Sequence, residues 1–315
     1  MTTPPRHLPP SGDAIPGDPP RSTGHPLEAF HRHLGHRPVS RFGTLWCNAG
    51  RFTLVTFPGN HRVDATKAEI QRLLVDAGKA VAVFCPASGA GIPVEEYLLD
   101  AAGYGMHRLQ AQFRQHVRRH AEEFESRELS WSELERLAPD LHGNMVERWN
   151  LAPGTWTDRE HWAETCAAGA STPGLWVFGC LAAGRLAGYS VAWRNLETCH
   201  GVLLHRDSRF DRQRIGNVLL HAFSAAAAGH DGTATINLGR SWYPPRPRLD
   251  SFKRHAGYTG NATTLAVVLH PRIEPLLRSS WTHRCLDAVS RLTGGRIDLG
   301  GDVALLRAAR RTELP

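Results

Sequence analysis

Lysine is nearly missing from this chain. Of 37 basic residues only Lys67, Lys79 and Lys253 are lysine, the other 34 being arginine. A position that keeps lysine in such a background points to a compact ammonium rather than a planar guanidinium fork, with chance placement as the plain alternative. Clustered cysteine is missing as well. Cys47, Cys85, Cys166, Cys180, Cys199 and Cys285 lie at least 14 positions apart, with no C-x-x-C pair. That spacing suggests neither a zinc ribbon nor a disulfide framework, and the six read as small buried hydrophobes in a reducing compartment. No apolar run reaches the roughly 20 residues of a membrane span, and the N-terminus lacks the apolar core of a signal peptide. A soluble, cytoplasmic protein is expected. No Ser/His/Asp or Cys/His arrangement is legible, which argues against hydrolase chemistry.

What the chain does have is length and positive charge. Its 315 residues suffice for one large or two ordinary domains. The formal charge of +7 suits an anionic partner such as nucleic acid or a nucleotide, although an Ala-, Arg- and Gly-rich composition accounts for much of it. Eight prolines fall within the first 26 residues, a segment too poor in apolar surface to offset its ordering entropy. His31, His33 and His36 follow; no regular helix puts the three on one side, so they read as a solvated, Arg-flanked surface rather than a metal site.

Regular patterning begins near Phe42. Thr44 to Cys47 and Arg51 to Phe57 read as a hairpin across Asn48-Ala49-Gly50. Thr66-x-x-Glu69 is a capping box for a helix with Ile70, Leu73, Leu74 and Ala77 on its buried stripe, ending at Gly78. Ala80 to Cys85 is a central strand; a helix is expected over Val94 to Ala102 and a strand through Met106 to Gln110. Arg108 to Phe124 then runs into a helix with Leu109, Phe113, Val117, Ala121 and Phe124 inward and Arg114, Arg118 and Arg119 outward. That basic face suits phosphate, or is an ordinary solvated face beside Glu122, Glu123 and Glu125.

Beyond a short strand at Arg127 to Trp131, helices are expected over Ser132 to Trp149 and Asp158 to Ala168, broken at Ala152-Pro153-Gly154. Strands follow at Leu175 to Leu181, Leu186 to Trp193 and Cys199 to His205, then a helix from Arg212 to Ala228 and a strand from Thr233 to Leu238. An Arg-, Tyr- and Pro-rich turn leads into a short helix carrying Phe252-Lys253 and stopping at Gly257. A hairpin-like region at Thr263 to Leu269 and a helix near Ile273 to Leu286 close the pattern. Together these elements describe an α/β protein around a mixed sheet.

This order resembles the GNAT acyltransferase fold. Asn237-Leu238-Gly239, followed by Leu249-x-x-Phe252-Lys253-x-x-x-Gly257 and accompanied by the basic helix Gln115-His116-Val117-Arg118-Arg119, is similar to the FemABX branch. That resemblance implies two GNAT-like units, each a mixed, mostly antiparallel twisted sheet flanked by helices. On it, residues 1–26 are a disordered tail, 27–126 a first, abbreviated unit and 127–285 a second. Residues 286–315 then form a C-terminal segment packing back on the first unit.

The activity implied is transfer of an aminoacyl group from aminoacyl-tRNA to an amine. The acceptor is a specialised metabolite or a cell-wall precursor, and the shortness of the chain favours the former. No cofactor beyond the tRNA co-substrate and no membrane span is implied, and a monomer is the favoured state. Lys253 is then the catalytic cation, supporting charge on the ester oxygen or on the departing ribose oxygen. Phe252 fixes its direction. Arg240 and Tyr243, past the strand end, contact donor or acceptor, and Arg118 and Arg119 hold an acceptor phosphate. Gln213-Arg214-Ile215-Gly216-Asn217-Val218 occupies the place of the CoA phosphate loop of GNAT enzymes, with branched Val218 where that loop has Gly or Ala. Arg206, Arg209, Arg212, Gln213, Arg214 and Gly216 therefore serve either a tRNA 3′ end or a cofactor phosphate. Two alternatives stay open: an acyl-CoA-dependent N-acyltransferase, and a GNAT pair that binds RNA or nucleotide without chemistry. No general base is legible, since His205 and Asp207 form no dyad by spacing.

Overall fold

Thr66 accepts from the Glu69 amide while the Glu69 side chain accepts from the Thr66 amide, so the capping box closes as the sequence requires. Gly78 ends that helix in the left-handed region at φ +62°. From such local signals the computed structural model builds 7 helices and 12 strands among the described residues, which are 24–49, 52–89, 91–149, 156–241, 246–275 and Ala309.

In chain order they are α1 (Glu28–His33), β1 (Val39–Arg41), β2 (Thr44–Asn48), β3 (Thr53–Phe57), β4 (Arg62–Val63), α2 (Lys67–Ala77), β5 (Val81–Pro86) and β6 (Ile92–Asp100). Then come α3 (Ala111–His120), β7 (Glu125–Leu129), α4 (Trp131–Trp149), α5 (Arg159–Ser171), β8 (Leu175–Ala182), β9 (Arg185–Asn195) and β10 (Thr198–Arg206). The last are α6 (Ile215–Gly229), β11 (Thr235–Arg240), α7 (Pro247–His255) and β12 (Thr259–Leu269).

The strands form one sheet in the order β1-β2-β3-β5-β12-β6-β11-β10-β9-β8-β7, with β4 beside β5. Most neighbours are antiparallel; β3–β5, β4–β5 and β10–β11 are parallel. Strand β12 is the seam. Its first part, Thr259 to Leu265, pairs with β6, and its last part, Ala266 to Leu269, pairs with β5. Helix α2 buries Ile70, Leu73 and Leu74 against Ala82, Phe84, Ala266 and Val268. Farther along, α3 and α6 cover one face through Phe113, Val117, Ile215, Leu219 and Phe223. Helices α1, α4 and α5 cover the other through Phe30, Leu134, Leu141 and Trp162.

Several expectations need correction. The segment expected as a helix over Val94 to Ala102 is strand β6. Its Tyr97 and Leu99 are buried two apart, and pairing with β11 on one side and β12 on the other overrides its helix-like spacing. Met106 to Gln110 is not a strand: Met106–Arg108 is a single 3-10 turn leading into α3. The hairpin-like region at Thr263 to Leu269 is the end of one 11-residue strand. His31 is not solvated but only 6% exposed, packed against Phe30, His36 and Phe57, and burial holds its pKa down to about 3. The tail at 1–23 and most of the helix expected near Ile273 to Leu286 lie outside the described residues.

Candidate active site at a fork between two strands

Strands β10 and β11 run together for three residue pairs, Thr198↔Thr235, Cys199↔Ile236 and His200↔Asn237. Beyond them β10 follows β9 alone, through a bulge between Gly201 and Leu203, while β11 shifts register against β6 between Asn237 and Arg240. Asn237 pins the branch. Its Nδ2 donates to Glu96 Oε1 at 2.6 Å and its Oδ1 accepts from the Gly239 amide at 2.6 Å. Gly239, at φ +73°, takes a backbone angle that side-chain-bearing residues avoid.

The fork opens a cavity of about 360 Å³, walled by Gly201 to Leu204 of β10, Leu238 of β11, Leu220 of α6 and Leu249, Phe252 and Lys253 of α7. Lys253 is only 7% exposed. Its Nζ donates to Leu238 O at 2.9 Å and lies 4.6 Å from the centroid of the Tyr97 ring. Burial pulls its pKa down to about 8, against the opposing pull of buried Asp250. At neutral pH the group is therefore an ammonium at the cavity wall, where a cation is worth more than in water. Tyr97 is oriented in turn by its O–H donating to Glu95 Oε2 at 2.8 Å, and Glu95 pairs with Arg254.

Phe252 also lines a second, wider groove of about 690 Å³ among α3, α6 and α7. Its ring packs against Phe113 at 5.5 Å. The groove presents Gln112 and His116 from α3, Arg214 and Asn217 at the start of α6, and Arg248, Ser251 and His255 from α7. Arg214 is exposed and caps α6 in the left-handed region at φ 53°. A helix N-terminus beside two arginines and two histidines suits anionic oxygen.

The sequence-derived candidates distribute unevenly. Lys253, Phe252 and Arg214 meet at the two cavities, and Gly216 sits in the first turn of α6. Arg206 shares Asp211 with Arg148, whereas Arg209 pairs with both Asp207 and Asp140, so both already have carboxylate partners. Arg212 is exposed; Gln213 is half-buried, with its Oε1 unpartnered. Val218 turns into the core. Arg118 and Arg119 are exposed on α3 and line neither cavity. Arg240 donates to Gly59 O at 3.2 Å and faces Cys85 Sγ, tying β11 to the loop after β3. Tyr243 lies outside the described residues.

Sequence reasoning missed Tyr97, Asp250, Arg248 and His255, and it named His116 and Asn217 only as members of longer motifs, with no role of their own. Asp250, three residues before Lys253 on the same helix, carried a local signal; Tyr97 comes from a strand 156 positions away and carried none. On the opposite face, His142 Nε2 and Tyr189 Oη share a hydrogen bond of 2.8 Å, and His205 joins them, its pKa lowered to about 4 by burial. No group of three or more His, Cys, Asp or Glu side chains suited to a metal occurs among the described residues.

Comparison with known proteins places this geometry beside acyltransferase domains of similar sequence or fold. No curated protein matches the chain by sequence. The C-terminal domain (DUF2156) of a putative lysylphosphatidylglycerol synthetase from Agrobacterium fabrum shares the fold, with a TM-score of 0.50 at 13% identity, covering 77% of this chain and 87% of that one. FemX is similar over 81% of this chain and 93% of its own, with a TM-score of 0.50 at 10% identity. Residues 111–254 match the family model of the acetyltransferase (GNAT) domain. That segment contains the fork and Lys253, so the site lies within the stretch that is similar to the acetyltransferase (GNAT) domain.

Proposed function

We propose that the protein transfers an aminoacyl group from aminoacyl-tRNA to the amine of a small-molecule or peptide acceptor, forming an amide. The observation that carries the reading is the buried ammonium of Lys253 on the wall of the fork, with a basic groove on the other side of Phe252. In this reading the groove takes the phosphates of the RNA 3′ end, through Arg214, Arg248 and the start of α6. The ester then reaches past Phe252 into the fork. The acceptor nitrogen attacks the ester carbonyl carbon; the new C–N bond forms, the bond to the ribose oxygen breaks, and the nitrogen's proton ends on that ribose oxygen. Lys253 stabilises negative charge on oxygen as it develops. Ester aminolysis is downhill, so no covalent enzyme intermediate is required.

A second reading, transfer from acyl-CoA, is supported by one specific feature: Gly216 lies in the first turn of α6, where the resemblance to GNAT enzymes puts a pyrophosphate, and a Cβ there would touch Arg206 and Phe252. One assay separates the two. Purified protein is incubated with radiolabelled aminoacyl-tRNAs and a cell extract, with and without ribonuclease, in parallel with acyl-CoA. Amide formation abolished by ribonuclease is expected. Transfer from acyl-CoA at full rate without tRNA would falsify the proposal.

A further inference from the structure

Apart from Ser190 and Lys253, the fork cavity is walled by apolar side chains. Its walls are Val202, Leu203, Leu204, Leu220, Leu238 and Leu249, with the Phe252 ring at one side. The polar side chains that reach it are Ser190 and Lys253, and both are engaged: Ser190 Oγ donates to Leu203 O at 3.0 Å and Lys253 Nζ to Leu238 O at 2.9 Å. No carboxylate among the described residues lines it. At about 360 Å³ the space lies at the small end of the roughly 300–1,000 Å³ of ligand sites, and it has room for an aminoacyl group with its side chain. The phosphates and sugar have the polar groove beyond Phe252.

We infer that this cavity is the specificity pocket for the transferred group, and that this group carries an aliphatic or thioether side chain of leucine or methionine type. The inference rests on the reading of Lys253 as the point of acyl transfer from an aminoacyl ester. A lysyl or arginyl side chain entering the fork would lose its hydration, find no acid and meet the charge of Lys253. An aspartyl side chain would meet a cation already opposed by Asp250 and bonded to Leu238, and no further donor from the leucine walls. An alanyl group would make fewer contacts with the apolar walls than a leucyl or methionyl one.

The test uses the full chain and stable donor analogues, so no acceptor need be known. Isothermal titration with non-hydrolysable 3′-aminoacylamido-adenosines bearing leucine, methionine, alanine, lysine or aspartate should give tighter binding of the first two, by about tenfold or more. Leu204 is 39% exposed at the cavity, so Leu204→Glu can be made without disturbing the core. That variant should shrink or reverse the preference for leucyl over lysyl, because its carboxylate supplies the partner that the cavity lacks. Equal binding of leucyl and lysyl analogues, tighter binding of the lysyl or aspartyl one, or an unchanged ratio in Leu204→Glu would overturn the inference and leave the donor reading standing. Binding of acyl-CoA with no binding of any adenosine analogue would instead remove the donor reading, and the inference with it.

Discussion

Lys253 joins two properties that pull in opposite directions, and this makes its role measurable. As a cation it sits where charge is expensive, held by Leu238 O, the Tyr97 face and Asp250. Its pKa is about 8 instead of 10.5, so the folded protein binds its proton less readily than the unfolded chain does. The unfolded state thus holds more protons between roughly pH 8 and 10.5, and this residue's contribution to stability rises with pH across that window. Catalysis by the ammonium runs the other way, with kcat falling as pH rises through about 8. A pH–rate profile that loses this alkaline limb in Lys253→Met, beside denaturation midpoints over the same range, checks both signs. Lys253→Ala should slow transfer by about 10²–10³, the worth of one oxyanion donor. Its effect on stability at neutral pH should be small, because Leu238 O loses its donor while the cost of a buried ammonium is relieved. Near wild-type turnover in that variant would remove Lys253 from the mechanism. Lys253→Arg should be impaired as well, since a planar fork does not fit a space shaped for one ammonium.

The groove among α3, α6 and α7 belongs to a larger scale, because no single element makes it. Arg214 stands at the cap of α6 and Arg248 in the first turn of α7, and both line the same space. Arg214→Ala and Arg248→Ala should each raise KM for the charged tRNA while leaving kcat nearly unchanged. Each should also flatten the dependence of log K on log salt by about 0.7, the share of one single-strand phosphate contact. Substituting Arg209, whose charge is spent on Asp207 and Asp140, should leave that salt slope unmoved. A titration of KM against salt for the three variants decides the matter.

These same elements mark how far the sequence was readable. The capping box, the Lys-bearing helix and the strands β8, β9 and β10 are written locally, in hydrophobic period and capping residues, and they fold as read. Strand β6 was misread because its short apolar pattern suits either state, and only pairing with β11 and β12 decides it. The site divides in the same way. Lys253, Phe252 and Arg214 stood out by their place in the chain, whereas Tyr97, His116, Arg248 and His255 enter by tertiary approach. Arginine count alone did not tell the groove residues from Arg206 and Arg209, whose carboxylate partners appear only on folding.

At the scale of the whole molecule, the sheet runs unbroken from β1 to β7, and the chain crosses it in an order unlike its own. Strand β6, from the N-terminal half, lies between β12 and β11, so β11 begins against a residue 135 positions earlier, Thr235 pairing with Asp100. The fork geometry therefore depends on the seam: β12 holds β6 on one side and β5 on the other. Gly91, at the entry to β6, has φ +146°, and a Cβ there would sit 2.5 Å from Leu265 O on β12. Gly91→Ala has no room on that side, because the obstruction is backbone. The wild-type protein should unfold in one transition, with far-UV circular dichroism and tryptophan fluorescence superimposing, since Trp46 and Trp162 report cores on different parts of one sheet. Gly91→Ala should lower that midpoint by several degrees, in keeping with a cost of about 1–3 kcal/mol for overpacking. It should also lower kcat, although residue 91 lines neither cavity, because displacement of β6 moves Glu96 and with it Asn237 at the branch. A variant that loses stability and keeps full kcat would show the fork to be held by β10 and α7 alone.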